Sequence, residues 1–356
     1  MKIPNPSTYE QDNSGGRVAG FASVQAGRGI AAILVVLFHC TMAMPLDKYW
    51  GEPVYGNFFA FGDSGVEFFF VLSGFIIYWA HHADFGRPER LGRYIYRRIT
   101  RIYPPYWIAA LLVLFAMVVI PAAGSGGVPS ASDLAMAFSL VGNPHSPVLA
   151  VAWSLFHEML FYAFFAFLIM HERAGKLAIV AWIVACLFSE SENYAFSPIN
   201  LLFTMGMLAA WLIKKDMVRH TGILLASGLL IFATTAKIVA PDGTKSLGYG
   251  LGAALILLGA VQAEISNRIS VPKVFILIGD ASYSIYLVHL TLVSFLCKTL
   301  SSLPWSFAFP AIATLSVAGG VLFHFIIEKP LLKLLQRRSV PRPSGARAST
   351  FLPERA

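Results

Sequence analysis

The stretch "RGIAAILVVLFHC", Arg28 to Cys40, opens on an arginine, runs through small and aliphatic residues and reaches a histidine eleven positions later. A run this apolar reads as a membrane-spanning helix, which needs about 20 residues to cross the hydrocarbon. Its two ionisable residues then need a reason. An ionisable side chain at the bilayer centre costs about 2.5–3.5 kcal/mol or more and normally faces a partner or a cavity.

The rest of the chain repeats the pattern. Of its 356 residues, 56% are hydrophobic and 13% charged, with a formal charge of +8. That composition excludes an ordinary soluble domain and fits an all-α, polytopic transmembrane bundle. Apolar windows place about ten spans at 28–44, 57–79, 104–121, 148–170, 176–190, 197–213, 221–239, 247–264, 274–297 and 306–328. Residues 132–142 read as an interfacial patch. Residues 1–24 are polar, and the first span lacks a small-residue cleavage site, so no secretory signal is expected. There is no internal repeat. Cys40, Cys186 and Cys297 lie in separate apolar stretches, without the spacing of a disulfide frame or metal site.

Orientation follows from the basic residues. With the N-terminus inside, successive cytoplasmic segments carry 3, 6, 2, 3, 2 and 7 Lys and Arg, against Lys48, Lys237, Lys245 and Lys298 outside. Both termini are therefore expected in the cytoplasm. Topology and anionic membrane lipids account for the positive charge, and no nucleic-acid partner is needed. The reading divides the chain into a cytoplasmic segment 1–24, a transmembrane domain 25–330 and a basic, unstructured cytoplasmic tail 331–356.

Depth can then be counted at about 1.5 Å per residue. His39 lies about 16 Å above Arg28, near the midplane, and on the same helix face. Glu67, in "FGDSGVEFFFVLSGFIIYW", and Glu158, in "AVAWSLFHEMLFY", are expected at a similar level on two descending spans. Asp63 shares a face with Glu67. Ser154, Glu158 and Tyr162 form one polar stripe. His39, Glu67 and Glu158 thus read as a catalytic group, or as buried groups that only lock neighbouring helices together.

A second cluster is "RLGRYIYRRITRIYPPYW", 90–107, on the inner side. Arg98 and Arg101 are one turn apart, with Arg93 and Arg97 on adjoining positions and tyrosines between them. Guanidinium forks suit phosphate, but a basic helix can equally rest on anionic lipid. In "GDASYSIYLVHL", Ser282, Tyr286 and His289 share a face in the outer half of span nine. They fit either an acceptor entrance, together with Ser154, or a hydrogen-bonded core. His324 and Glu328 are expected to be structural, and His81 and His82 to meet water. Cys40 adjoins His39 but points about 100° away, which disfavours it as a nucleophile.

Together these segments resemble the acyltransferase 3 family, integral-membrane O-acyltransferases of bacterial surface sugars. The resemblance runs from about Val24 to Pro330. It comprises R-x10-H at Arg28 and His39, "GVEFFFVLSGF", R-x-x-R at Arg98 and Arg101 before "IYPPYW", "WSLFHEMLFY", "SYSIYLVH" and "IEKP". The opening "SVQAGRGIAAILVVLFH" is similar to the exopolysaccharide O-acetyltransferase branch. Two departures are Gly27, where a leucine is common, and Phe156-His157 before Glu158. The resemblance implies a multi-pass protein of the bacterial inner membrane, with no tightly bound cofactor and no metal. Its donor would be cytoplasmic acyl-CoA, usually acetyl-CoA, and its acceptor a glycan or lipid-linked sugar. Arg28, His39, Arg98 and Arg101 match the family's functional positions. The expected mechanism has His39 as base, Glu158 or Glu67 orienting it, and Arg28, Arg98 and Arg101 holding the donor. A proton-coupled transporter or flippase of a lipid-linked sugar is the rival reading.

Overall fold

In lipid every backbone N–H and C=O must be satisfied within the chain, so long apolar runs close as helices. The computed structural model describes residues 20–119, 129–141, 148–189, 193–238 and 242–337. Their helices are α1 (Ala22–Ala43), α2 (Gly65–His81), α3 (Leu91–Val119), α4 (Ala131–Ser139), α5 (Trp153–Met170) and α6 (Glu172–Phe188). There follow α7 (Leu201–Lys214), α8 (Thr221–Thr235), α9 (Asp242–Ile265), α10 (Lys273–Asp280), α11 (Ser282–Leu300), α12 (Trp305–Phe323) and α13 (Lys329–Arg337). Among the described residues, seven helical segments are long and apolar enough to cross a membrane, built on α1, α2, α3, α5, α9, α11 and α12. The expected spans at α6, α7 and α8 are helices of only 17, 14 and 15 residues. Large apolar side chains such as Phe188 and Phe307, 81% and 72% exposed, point outward. Lipid, not water, is the solvent that suits them.

α2 packs against α7 with almost no side chain between them. A Cβ on Gly74 would collide with the Phe203 carbonyl, and one on Gly206 with the Val71 carbonyl. Such small-residue crossings bring two backbones together where water cannot drive association. Phe70, Phe161 and Phe203 fill the space beside the crossing, with Phe161 stacked on Phe203 at 4.5 Å. A second core joins α1, α11 and α12 through Val36, Cys40, Val293, Cys297 and Ile312.

Several elements differ from the expected boundaries. The second span enters as a 3₁₀ segment, Val54–Ser64, kinked by left-handed backbone at Tyr55, Gly56 and Asn57. Glu67 consequently lies in the first turn of α2. Span three does not begin at the prolines: α3 runs unbroken through Pro104 and Pro105, joining the arginine segment to the span as one helix. Proline removes two ladder hydrogen bonds there, and Tyr283 bonds the neighbouring Ile102 carbonyl at 2.8 Å. Span nine is split at Ala281 into α10 and α11. The patch at 132–142 is the short α4, whose last carbonyls accept from Tyr103, Tyr106 and Trp107 of α3 at 2.7, 2.7 and 2.9 Å. His81 does not meet water. It is buried at the end of α2, 2.8 Å from Asp84, with its ring edge-on to Tyr94. The expected unstructured tail begins instead as helix α13, to which Tyr96 donates at Leu335. The remainder of that tail, most of segment 1–24 and His145 lie outside the described residues.

Candidate active site

His39 sits one turn before the end of α1, and its ring meets His289 of α11. His289 Nδ1 is 2.8 Å from the Tyr286 carbonyl and 3.2 Å from that of Ile285. Carbonyls only accept, so this nitrogen carries the proton and a neutral His289 presents a lone pair on Nε2. That Nε2 is 3.1 Å from His39 Nδ1, which also lies 2.9 Å from the Val35 carbonyl. Both neighbours of His39 Nδ1 are acceptors, so His39 Nδ1 carries a proton too. The chain of assignments leaves Nε2 as the basic atom of His39. His289 is fully buried behind it, with ring centroids 4.8 Å apart.

His39 lines a cavity of about 500 Å³, together with Glu67, Trp153, Lys245 and Tyr286. Glu67 Oε1 accepts from Ser246 of α9 at 2.9 Å. The Tyr286 hydroxyl is 2.7 Å from Ser154 Oγ and 2.9 Å from the Val151 carbonyl. One hydroxyl of the pair therefore donates to Val151 and the other to its neighbour. By the charge-based orientation this cavity occupies the outer half of the bundle.

The arginines form a separate inner group. Arg28 is buried, donates from Nη1 to Gln25 at 3.1 Å, and lies within electrostatic reach of Arg101, Glu328, Asp280 and Glu158. α1 is aimed there by Glu264, whose two oxygens accept from the Ala22 and Ser23 amides at 2.7 and 2.8 Å. A carboxylate in that position satisfies orphan N–H groups and the helix dipole together. Glu158 accepts from Ser73 at 3.0 Å and from Tyr162 at 2.5 Å. Arg98, also buried, places its guanidinium 5.8 Å from the rings of both Tyr94 and Tyr162, and its Nε has no hydrogen-bond partner. Glu328 accepts from Ser284 at 2.6 Å and is 2.8 Å from His324 Nδ1, within the π turn His324–Glu328.

The expected site residues thus fall into two groups. Arg28, Arg98, Arg101 and Glu158 are grouped inside, whereas His39, Glu67 and Tyr286 line the outer cavity. Neither Glu67 nor Glu158 hydrogen-bonds His39, and the expected common level is not kept: Glu67 shares the outer cavity with His39, whereas Glu158 stands with the inner arginines. His289 holds the ring from behind and does not line the cavity, and Ser154 meets the lining through its contact with Tyr286. Tyr286 lies within electrostatic reach of both Glu158 and Glu67, one from each group. Sequence reasoning missed the His39–His289 pair and Glu264. The unusual "SYSIYLVH" run was the signal available for the first, and nothing local marks the second. The two departures are also placed. A Cβ on Gly27 would sit 2.9 Å from the Phe68 ring, which occupies the room a leucine would need. Phe156 and His157 are packing residues, His157 bonded to Asn200 at 2.8 Å.

A family described as an acyltransferase domain, acyltransferase 3, matches residues 21–328. The chain is 30% identical over 324 residues to the exopolysaccharide production protein ExoZ of Rhizobium meliloti (strain 1021), covering 83% of this chain and 97% of that protein. It is 24% identical over 379 residues to the acyltransferase MdmB of Streptomyces mycarofaciens, covering 90% of this chain and 94% of that one. No solved structure matches it. A match across nearly the whole helical bundle settles the class of chemistry: the chain belongs to the acyltransferase 3 family and is a multi-pass membrane acyltransferase.

Proposed function

We propose that this protein moves an acyl group, most simply acetyl, from cytoplasmic acyl-CoA to a hydroxyl of an exported or surface glycan at the bacterial inner membrane. The observation that carries the reading is the hydrogen-bond chain from the α11 carbonyls through His289 to His39, which leaves His39 Nε2 basic in a ring that lines a cavity. Imidazole has a reference pKa near 6.5 and suits general-base work at neutral pH. His39 Nε2 takes the proton of the acceptor hydroxyl as its oxygen bonds to the thioester carbonyl carbon. The C–S bond then breaks, and the imidazolium returns the proton to the CoA sulfur. The products are an ester and free CoA thiol.

Arg98 and Arg101 grip the donor's phosphates at the inner face, and Arg28 holds the donor close to the thioester. A guanidinium fork binds two phosphate oxygens at once. Arg98 has a buried, unpartnered Nε–H ready for such a group. Glu158 keeps this cationic cluster from being unbalanced before the donor arrives. The slim pantetheine arm carries the thioester from the inner arginines toward His39. The relation to a protein named for exopolysaccharide production supports a glycan acceptor. A flippase reading gives no reason for an acyltransferase relationship.

The test uses membranes containing the protein, labelled acetyl-CoA and a glycan acceptor. Wild type yields acylated glycan, and a stably inserted His39→Ala protein yields none above background. Wild-type rates from His39→Ala would remove the base assignment. Surface glycans analysed by mass spectrometry, with and without the protein, identify the modified sugar and whether the group is acetyl or succinyl.

A further inference from the structure

The cavity at His39 has a charge pattern that the transfer chemistry itself does not require. Among the described residues, its formally charged side chains, apart from the neutral imidazole, are Asp63, Glu67, Asp242 and Lys245. Three carboxylates stand against one ammonium, a net charge of −2, or −1 if Glu67 is protonated. The sign is the same in both cases. Asp63 and Asp242 are exposed and come from different elements, the 3₁₀ entry and the first turn of α9. Glu67 lies deeper, fixed by Ser246. The arginines, which would attract an anion, are all absent from this lining.

We propose that this acidic outer cavity is the acceptor subsite and that it selects an uncharged polyhydroxy sugar over an anionic one such as a uronate. This rests on the acyl-transfer reading and adds to it the acceptor's chemical class. Carboxylates accept hydrogen bonds and donate none, so they match the O–H donors of a sugar and repel a carboxylate or phosphate substituent. Trp153 and Tyr286 line the cavity as well, and aromatic rings suit the C–H face of a pyranose. At about 500 Å³, the cavity falls within the range of about 300–1,000 Å³ usual for small-molecule sites. A low-dielectric wall on a charged cleft strengthens such discrimination.

The experiment separates binding from the choice of reacting hydroxyl. Membranes containing the full chain are given labelled acetyl-CoA and a panel of alkyl glucosides, galactosides and mannosides, and transfer to the best of these is measured. The alkyl uronamide and the alkyl uronate of the same sugar, which differ only in charge, are then compared as inhibitors. The uronamide is expected to inhibit at least about tenfold more strongly. Asp63→Asn and Asp242→Asn should each shrink that ratio about three- to tenfold, and Lys245→Gln should widen it. A merely structural effect would slow transfer without moving the ratio in opposite directions. Equal or stronger inhibition by the uronate overturns the proposal, as does a ratio indifferent to all three substitutions. Absence of transfer to every sugar overturns the acyl-transfer reading on which it stands.

Discussion

Replacing His289 by leucine tests the histidine pair most directly. The substitution keeps an apolar side chain of similar bulk in a fully buried position. It orphans no carbonyl, because the Ile285 and Tyr286 oxygens that meet His289 Nδ1 belong to the helix ladder of α11. What is lost is the acceptor 3.1 Å from His39 Nδ1. In the ground state that proton keeps the Val35 carbonyl at 2.9 Å, so the neutral ring suffers little. In the transition state His39 becomes an imidazolium, and a hydrogen bond to a charged group is worth about 1.5–3 kcal/mol. At 1.36 kcal/mol per factor of ten, kcat should fall about 10- to 150-fold while the KM values for donor and acceptor change little. Such a kcat-only loss marks an interaction made in the transition state. His289→Gln, which can present an amide oxygen where Nε2 lay, should restore much of the rate. The assay is initial-rate transfer from labelled acetyl-CoA in membranes matched for protein content. A leucine variant within twofold of wild type, in membranes where His39→Ala is inactive, would refute the positioning role.

Four further outcomes are expected. Arg98→Ala should raise the KM for acetyl-CoA at least about tenfold with a smaller change in kcat, and Arg98→Lys should not restore it, because one ammonium lacks the guanidinium fork; an unchanged KM would leave this arginine only its packing beside Tyr94 and Tyr162. Gly74→Ala should destabilise the detergent-solubilised protein by about 1–3 kcal/mol, read as a lower Tm, because its methyl has only the Phe203 backbone to displace. Gly92→Ala in α3, with nothing within 4 Å of the added methyl, should leave Tm unchanged or raise it. Glu264→Ala should lower Tm by the equivalent of about 1–2 kcal/mol through the two amides of α1 it abandons, and should raise donor KM by loosening Arg28; unchanged values of both would detach this carboxylate from the site.

Hydropathy and charge were enough to establish a multi-pass helical bundle, because a lipid solvent leaves a long apolar run one way to satisfy its backbone. They also set Arg28 and His39 eleven residues apart on one helix and gathered the arginines toward one end, since rise per residue is a property of a single helix. Where one helix meets another is a different kind of information. Counting residues along each helix predicts one level for His39, Glu67 and Glu158, yet only Glu67 shares the cavity with His39, while Glu158 stands with the inner arginines. The partner of His39 proved to be His289, 250 positions away, brought there by the break at Ala281 and the packing of α11 on α1. No spacing rule within a helix reports such a meeting. Likewise Pro104 and Pro105 marked a boundary by local preference, yet α3 continues through them, with Tyr283 of α11 bonded beside the interruption. Local chemistry thus settled what each segment is, and the lateral contacts between segments, which depend on every helix at once, decided which residues can act together.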